Sequence, residues 1–185
     1  MSMSDSQLLI ALQENLRKGQ RYKYLYFWGH TQKVQGLIDK SCFSQWFPAT
    51  FELDGVQYQN TEQYMMAQKA KLFADEGIFQ RILQTDNPGN IKALGRQVQH
   101  YQDDVWTKHR YEIVVKGNLA KFSQNEHLKQ FLYGTQERVL VEASPVDKIW
   151  GIGLAADHEH AQNPLLWDGL NLLGFALMDV RKQLF

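Results

Sequence analysis

The sequence predicts an α+β fold, a single helix-dominated domain with a few short strands and one β-hairpin. Apolar residues recur at helical spacing through most of the chain. Strand-prone runs are few, short and scattered, and no repeat, linker or low-complexity stretch divides the 185 residues. With 44% hydrophobic residues, a chain of this length buries a core that needs no disulfide or metal staple.

Leu8, Leu9, Ala11, Leu12 and Leu16 stand at helical spacing and predict a leading helical extension over residues 1–21, ahead of a domain over residues 22–185. Tyr22 to Trp28 is aromatic and strand-prone, and Gly29 to Cys42 reads as a loop. Phe51 to Tyr58 is the clearest local signal. Alternating apolar residues flank Asp54-Gly55, two positions that tolerate positive φ, which predicts a β-hairpin. Thr61 stands where an N-cap is expected, opening a helix from Glu62 to Phe73.

Two short helices follow over Asp75–Gln84 and Pro88–Gln99, the second with proline in its first turn. Asp103 or Asp104 is expected to cap a long helix whose apolar face runs through Trp106, Arg110, Ile113, Gly117 and Ala120. Asn125 to Tyr133 is helical and stops at Gly134. Val139 to Glu142 reads as a short buried strand, Pro145 to Pro164 as a long loop, and Asn171 to Leu184 as a closing helix.

Composition excludes several classes of function. The 20 basic and 20 acidic side chains cancel, which removes the electrostatic footprint of a general nucleic-acid binder. The lone Cys42 excludes an intrachain disulfide and a Cys-rich zinc site, and no neighbour in sequence lowers its pKa. No uncharged apolar run approaches the roughly 20 residues of a membrane helix. Met1 to Arg17 has no basic segment followed by an apolar block. The expectation is a cytoplasmic protein without a membrane partner. Asp157-His158-Glu159-His160 lacks a third ligand at metal-binding spacing and reads as a solvated loop, so no metal is expected.

Three segments can carry chemistry. Glu62 and Lys69 are seven residues apart on one predicted helix, which sets them on one face about 10 Å apart along the axis. Such a pair can bracket a sugar-sized ligand, or it can be a helix terminus and a solvated lysine. In Glu142 to Gly153 a strand ends, Pro145 turns the chain, and Asp147 and Trp150 emerge beside Gly151 and Gly153, which allow close backbone approach to a ligand. The alternative is a tight loop around a buried tryptophan. Phe43-Ser44-Gln45-Trp46-Phe47-Pro48 and Trp106 can stack on a base or plug the core. No phosphate-binding glycine loop and no serine nucleophile elbow is present.

The succession Phe43-Ser44-Gln45-Trp46, Thr61 to Ala70, Gly95-Arg96, Trp106, Lys121-Phe122, Glu142 to Gly153 and Trp167 to Gly174 resembles the NADAR family, also called YbiA-like, over residues 24–184. The resemblance implies an N-glycosidase that hydrolyses a ribose C1′–N bond without a cofactor. One branch of the family acts on ribosylamino-pyrimidine phosphates, early intermediates of riboflavin biosynthesis. Another removes ADP-ribose from modified guanine in nucleic acid or nucleotides. The resemblance maps the family's glutamate, lysine, tryptophan and aspartate onto Glu62, Lys69, Trp106 and Asp147.

On this basis Glu62, Lys69 and Asp147 are the expected catalytic residues. Phe43, Ser44, Trp46, Arg96, Trp106, Trp150 and Gly151 are the expected substrate-binding residues, with Arg96 first and Arg110 second for the phosphate. Pro145-Val146 and the His158-to-Pro164 loop depart from the simplest members and bear on substrate choice. A non-catalytic module that binds ADP-ribose-like nucleotides and a purely structural protein are the competing classes.

Overall fold

The computed structural model describes residues 5–185; the first four residues of the expected leading extension lie outside the described residues. The chain runs α1 (Asp5–Arg17), β1 (Tyr24–Phe27), β2 (Phe51–Leu53), β3 (Val56–Tyr58), α2 (Thr61–Leu72), α3 (Glu76–Leu83), α4 (Pro88–Gly95), α5 (Asp103–Gln124), α6 (Glu126–Tyr133), β4 (Val139–Glu142) and α7 (Leu172–Leu184). The α+β class holds. A 3-10 turn at Lys40–Phe43 interrupts the expected 29–42 loop, capped by the Asp39 side chain on Ser41 N.

The strands form two separate pairs. β2 and β3 are the expected hairpin, with Phe51 opposite Tyr58 and Leu53 opposite Val56. Its turn residues Asp54 and Gly55 have φ of 53° and 75°, the left-handed pair that an Asp-Gly turn supplies at low cost. β1 and β4 pair in parallel, Tyr24 with Val139 through Phe27 with Glu142. Alternation along β4 divides the interior. Leu140 faces the main core with α2, α5 and α7, while Val139 and Val141 face a smaller cluster holding Leu9 and Leu12 of α1, Ile152, Trp167 and Phe175. Glu142 shares the parity of Leu140.

Helix ends differ from expectation where side chains found better partners. Asn60, not Thr61, caps α2: its side chain accepts from Gln63 N at 2.8 Å, and Thr61 instead donates its hydroxyl to Gln45 O. Neither Asp103 nor Asp104 caps α5. Both lie in its first turn, after an extended Gln102 that makes no side-chain cap. α4 stops at Gly95, short of Gln99, because the chain turns back so that Gln99 N can donate to Asp75 Oδ2 at 2.9 Å.

The open edge of β4 is closed by a side chain. Asn171, fully buried and left-handed at φ 56°, accepts Glu142 N on Oδ1 and donates from Nδ2 to Leu140 O, both at 2.9 Å. Its own N–H donates to Gly151 O. The amide thus supplies the ladder of a missing third strand, and asparagine is among the few residues that tolerate this φ. Asn171→Ala should lower stability by about 2–4 kcal/mol, from two orphaned buried backbone groups plus left-handed strain. Asn171→Gly, which relieves only the strain, should recover about 1 kcal/mol of that in urea denaturation.

Candidate active site

The carboxyl ends of the two parallel strands open onto a cavity of about 560 Å³. From β1 come Trp28, Gly29 and His30, and from β4 come Glu142 and the loop carrying Ser144, Asp147 and Trp150. α2 forms the floor with Glu62, Met65, Met66 and Lys69; α4 and the turn after it bring Lys92 and Arg96; α5 adds Trp106. A ligand crevice at the carboxyl ends of parallel strands is a general feature of such sheets.

Glu62 is held at the first turn of α2 by what surrounds it. Its N–H donates to Gln45 O, and the next residue, Gln63, ties the helix to the carbonyls of Ile82 at the end of α3 and Thr85 just after it. The side chain is 4% exposed and its Oε1 has no hydrogen-bond partner. Burial pushes its pKa up to about 7; Lys92, the Trp46 side chain and Arg96 pull it down, and Asp147 adds to the rise. A carboxyl poised near neutrality in a cavity wall is suited to proton transfer.

Lys69 lies two turns along the same helix. Its Nζ donates to Gly95 O at 2.9 Å and sits 4.2 Å from the Tyr101 ring and 5.7 Å from the Trp106 ring. Burial and then Arg96 lower its pKa, with Asp103 opposing. Asp147 spends Oδ1 on the backbone N–H groups of Ile149 and Trp150, at 2.9 and 2.8 Å, and so shapes the loop that it heads.

The segment before the hairpin is fixed from below. Lys121, fully buried on α5, donates to Cys42 O at 2.6 Å and Ser44 O at 3.0 Å, and Asn118 donates to Gln45 Oε1. These bonds set Ser44 and Trp46 at the cavity wall, with the Trp46 ring 6.0 Å from Lys92 Nζ and 5.5 Å from the His30 ring. The structure therefore brings together Ser44, Trp46, Glu62, Lys69, Arg96, Trp106, Asp147 and Trp150.

It does not bring Phe43, Gly151 or Arg110 there. Phe43 is sealed in the core, its ring 5.4 Å from both Phe27 and Phe131. Gly151 faces inward: a Cβ there would stand 2.8 Å from Glu142 O and 3.0 Å from Asp147 O, so the glycine serves the packing of the loop and not a ligand. Arg110 turns away to α1, where its Nε and Nη2 pair with Asp5 at 2.7 and 2.5 Å, both side chains 9% exposed. That buried pair docks the leading helix. Cys42 is buried and its thiol is pushed up to about 12, which makes it inert.

Among the Lys, Arg, Asp and Glu side chains of the cavity, Lys92 and Glu142 escaped the sequence reading. Lys92 carries no motif. Glu142 had a signal: it ends a four-residue strand on the parity of buried Leu140, where a solvated glutamate is out of place. Among the described residues no group of three His, Cys, Asp or Glu side chains could hold a metal ion, and no helix is long and apolar enough to cross a membrane.

The cost of holding Glu62 is testable. Its folded pKa of about 7 exceeds the ordinary 4.5, so the folded state favours the neutral carboxyl and loses stability as pH rises from 4.5 through 7. The loss is on the order of 3 kcal/mol once the group is ionised. Glu62→Gln should therefore gain stability over the wild type between pH 5 and 8, read from urea midpoints across that range. A difference independent of pH would remove the desolvated carboxylate from the account.

Comparison with known proteins identifies the family. The NADAR domain matches residues 26–185. An N-glycosidase of Acanthamoeba polyphaga mimivirus is 43% identical over 166 residues, covering 87% of this chain and 96% of that protein. The N-glycosidase YbiA of Escherichia coli is 30% identical over 146 residues, 79% of this chain and 81% of YbiA. The solution structure of Escherichia coli YbiA superposes with a TM-score of 0.70 at 27% identity, covering 89% of this chain and 86% of that one. The chain belongs to the NADAR family, with hydrolysis of N-glycosidic bonds as its reaction class.

Proposed function

We propose that this N-glycosidase hydrolyses the ribose C1′–N bond of a ribosylamino-pyrimidine phosphate, the class of intermediate that precedes riboflavin. The observation that carries the reading is Glu62, a buried carboxyl with an unpartnered oxygen in a wall shared with four tryptophans and three cations. Cleaving a ribosyl C–N bond builds positive charge on the sugar ring, and a carboxylate beside C1′ stabilises it best where water is excluded. Glu62, ionised, meets that charge or takes a proton from the attacking water. Asp147 bonds the sugar hydroxyls. Trp46, Trp106 and Trp150 offer aromatic faces to the base and ribose, and Arg96, with Lys92 beside it, meets the phosphate.

Lys69 permits a second route, in which a neutral amine attacks C1′ and the opened ribose passes through a Schiff base. Its bond to Gly95 O and its place over the Tyr101 ring favour the ammonium form, so the carboxylate route is the main one here. A different observation favours a larger substrate. Trp28 is 60% exposed and Val146 85% among the residues lining the cavity, an apolar rim open to a ligand that extends out of it. That rim suits the ADP-ribosyl-guanine reading.

Turnover decides both questions. Released base is expected from the ribosylamino-pyrimidine phosphate, and preference for ADP-ribosylated guanosine would shift the assignment to the second substrate. Glu62→Ala should be inactive, while borohydride added during turnover should leave no ribosyl adduct on Lys69 by mass spectrometry. An adduct there establishes the Schiff-base route. Trp106→Phe should keep its melting temperature and lose about tenfold in kcat/KM, in line with about 1–3 kcal/mol of stacking. Arg96→Ala should raise KM for the phosphorylated substrate and leave the dephosphorylated one nearly unchanged.

A further inference from the structure

Glu142 is a second, partly buried acid of the cavity, and neither the motif nor the mechanism above employs it. It ends β4, and Asn171 holds its backbone through Glu142 N, while its own carbonyl accepts Ile152 N at 2.9 Å. The strand therefore fixes where the side chain leaves the backbone. Its Oε2 is sealed from water and has no hydrogen-bond partner, the same condition as Oε1 of Glu62. Among the described residues no ion pair reaches either carboxyl. Two unpartnered buried carboxyl oxygens in the wall of one cavity are expensive to keep unless a ligand or a transferring proton uses them.

We propose that Glu142 is the general acid of the reaction, giving its proton to the nitrogen that leaves C1′ while Glu62 serves the sugar and the water. This rests on the N-glycosidase reading. Hydrolysis needs a balance of protons: the C1′–N bond breaks with its electron pair going to nitrogen, water supplies the new C1′–O bond, and nitrogen must gain one proton as water loses one. One carboxyl cannot hold and lack a proton at once, so two carboxyls with different affinities divide the task. The surroundings separate them. Burial pushes Glu142 up to about 8, and both Asp147 and Glu62 raise it while Lys92 lowers it. Glu142 therefore holds its proton to higher pH than Glu62.

The charged groups facing this pair come from every wall: Glu62 and Lys69 from α2, Lys92 and Arg96 from α4 and the turn after it, Asp147 from the loop after β4, and His30 after β1. Lys92 and Arg96 both bear on Glu62, while only Lys92 is felt by Glu142. That asymmetry makes Glu62 the stronger acid, consistent with the division of roles. A pH profile of kcat/KM should rise through about 7 with loss of the Glu62 proton and fall through about 8 with loss of the Glu142 proton.

The test uses two leaving groups and one spectroscopic reading. Glu142→Gln should lose about 100-fold or more on the ribosylamino-pyrimidine phosphate, whose nitrogen needs a proton, and about threefold or less on 4-nitrophenyl riboside 5-phosphate, whose phenolate leaves without one. Equal losses on both, or no loss on either, would overturn the assignment; melting curves confirm that the variant is folded. Independently of any substrate, in protein labelled with 13C at the glutamate carboxyls, the resonance missing from E142Q should still report a protonated acid at pH 7. An ionised Glu142 at that pH also overturns it. A wild-type enzyme that releases no base from the ribosylamino-pyrimidine phosphate refutes the substrate reading instead, and the resonance then decides the acid.

Discussion

The bond set around Asn171 is the constraint on which the site depends. A parallel pair of two four-residue strands has too few ladder bonds to hold itself, and each strand leaves one edge open. Asn171 closes the edge of β4 with a side-chain amide that has the donor and acceptor of a peptide group. Its own N–H meets Gly151 O, and the N–H groups of Leu172 and Leu173 meet Ile149 O and Trp150 O. One residue thus registers the end of β4, the loop of Asp147 and Trp150, and the start of α7. The hairpin uses the same device at its outer edge, where Gln124 exchanges two bonds with the backbone of Glu52 at 2.8 and 2.7 Å. Side-chain amides stand in for strands that the chain does not have.

A second feature of the cavity wall is the contrast between its two acids and the buried polar groups packed directly behind them. Gln63, buried next to Glu62, has its amide shared among Gln59 N, Ile82 O and Thr85 O. Lys121, as buried as any residue, has two carbonyls, although burial still lowers it to about 8. Glu62 and Glu142 each leave an oxygen without a partner. Gln63 and Lys121 hold the wall through paired groups, and Glu62 and Glu142 are costly because an oxygen of each is not. Stability given up at a site in this way is the ordinary exchange for reactivity.

How much of this the sequence discloses follows from which interactions are local. The Asp54-Gly55 turn, the Pro88 start of α4 and the heptad-like face of α5 are decided within a few residues, so periodicity and turn chemistry find them. The pair Glu62 and Lys69 is legible for the same reason, being seven apart on one helix. Phe43 and Trp46 are three residues apart with the same aromatic character, yet one is core and one is cavity wall. What separates them is Lys121 and Asn118, more than seventy residues away. Arg110 shows the same limit, since its partner is Asp5, 105 residues away. Asn60 displaced Thr61 as a cap because the hydroxyl of Thr61 had a distant carbonyl, Gln45 O, to bond. Local rules fail where a long-range partner competes for the same group.

Glu142 joins these threads. Period-two alternation along Val139-Leu140-Val141-Glu142 is local, and it assigns the glutamate to the face of Leu140. That the face ends in a cavity and not in the core is decided by α2 and the α4 turn, which bring Glu62, Lys92 and Arg96 across from it. Removing the negative charge of an unpaired carboxyl by retaining its proton is the least costly way to keep such a residue inside. A proton retained for that reason is also a proton within reach of a departing nitrogen. The physics that tolerates Glu142 in the wall is therefore the physics that makes it useful there.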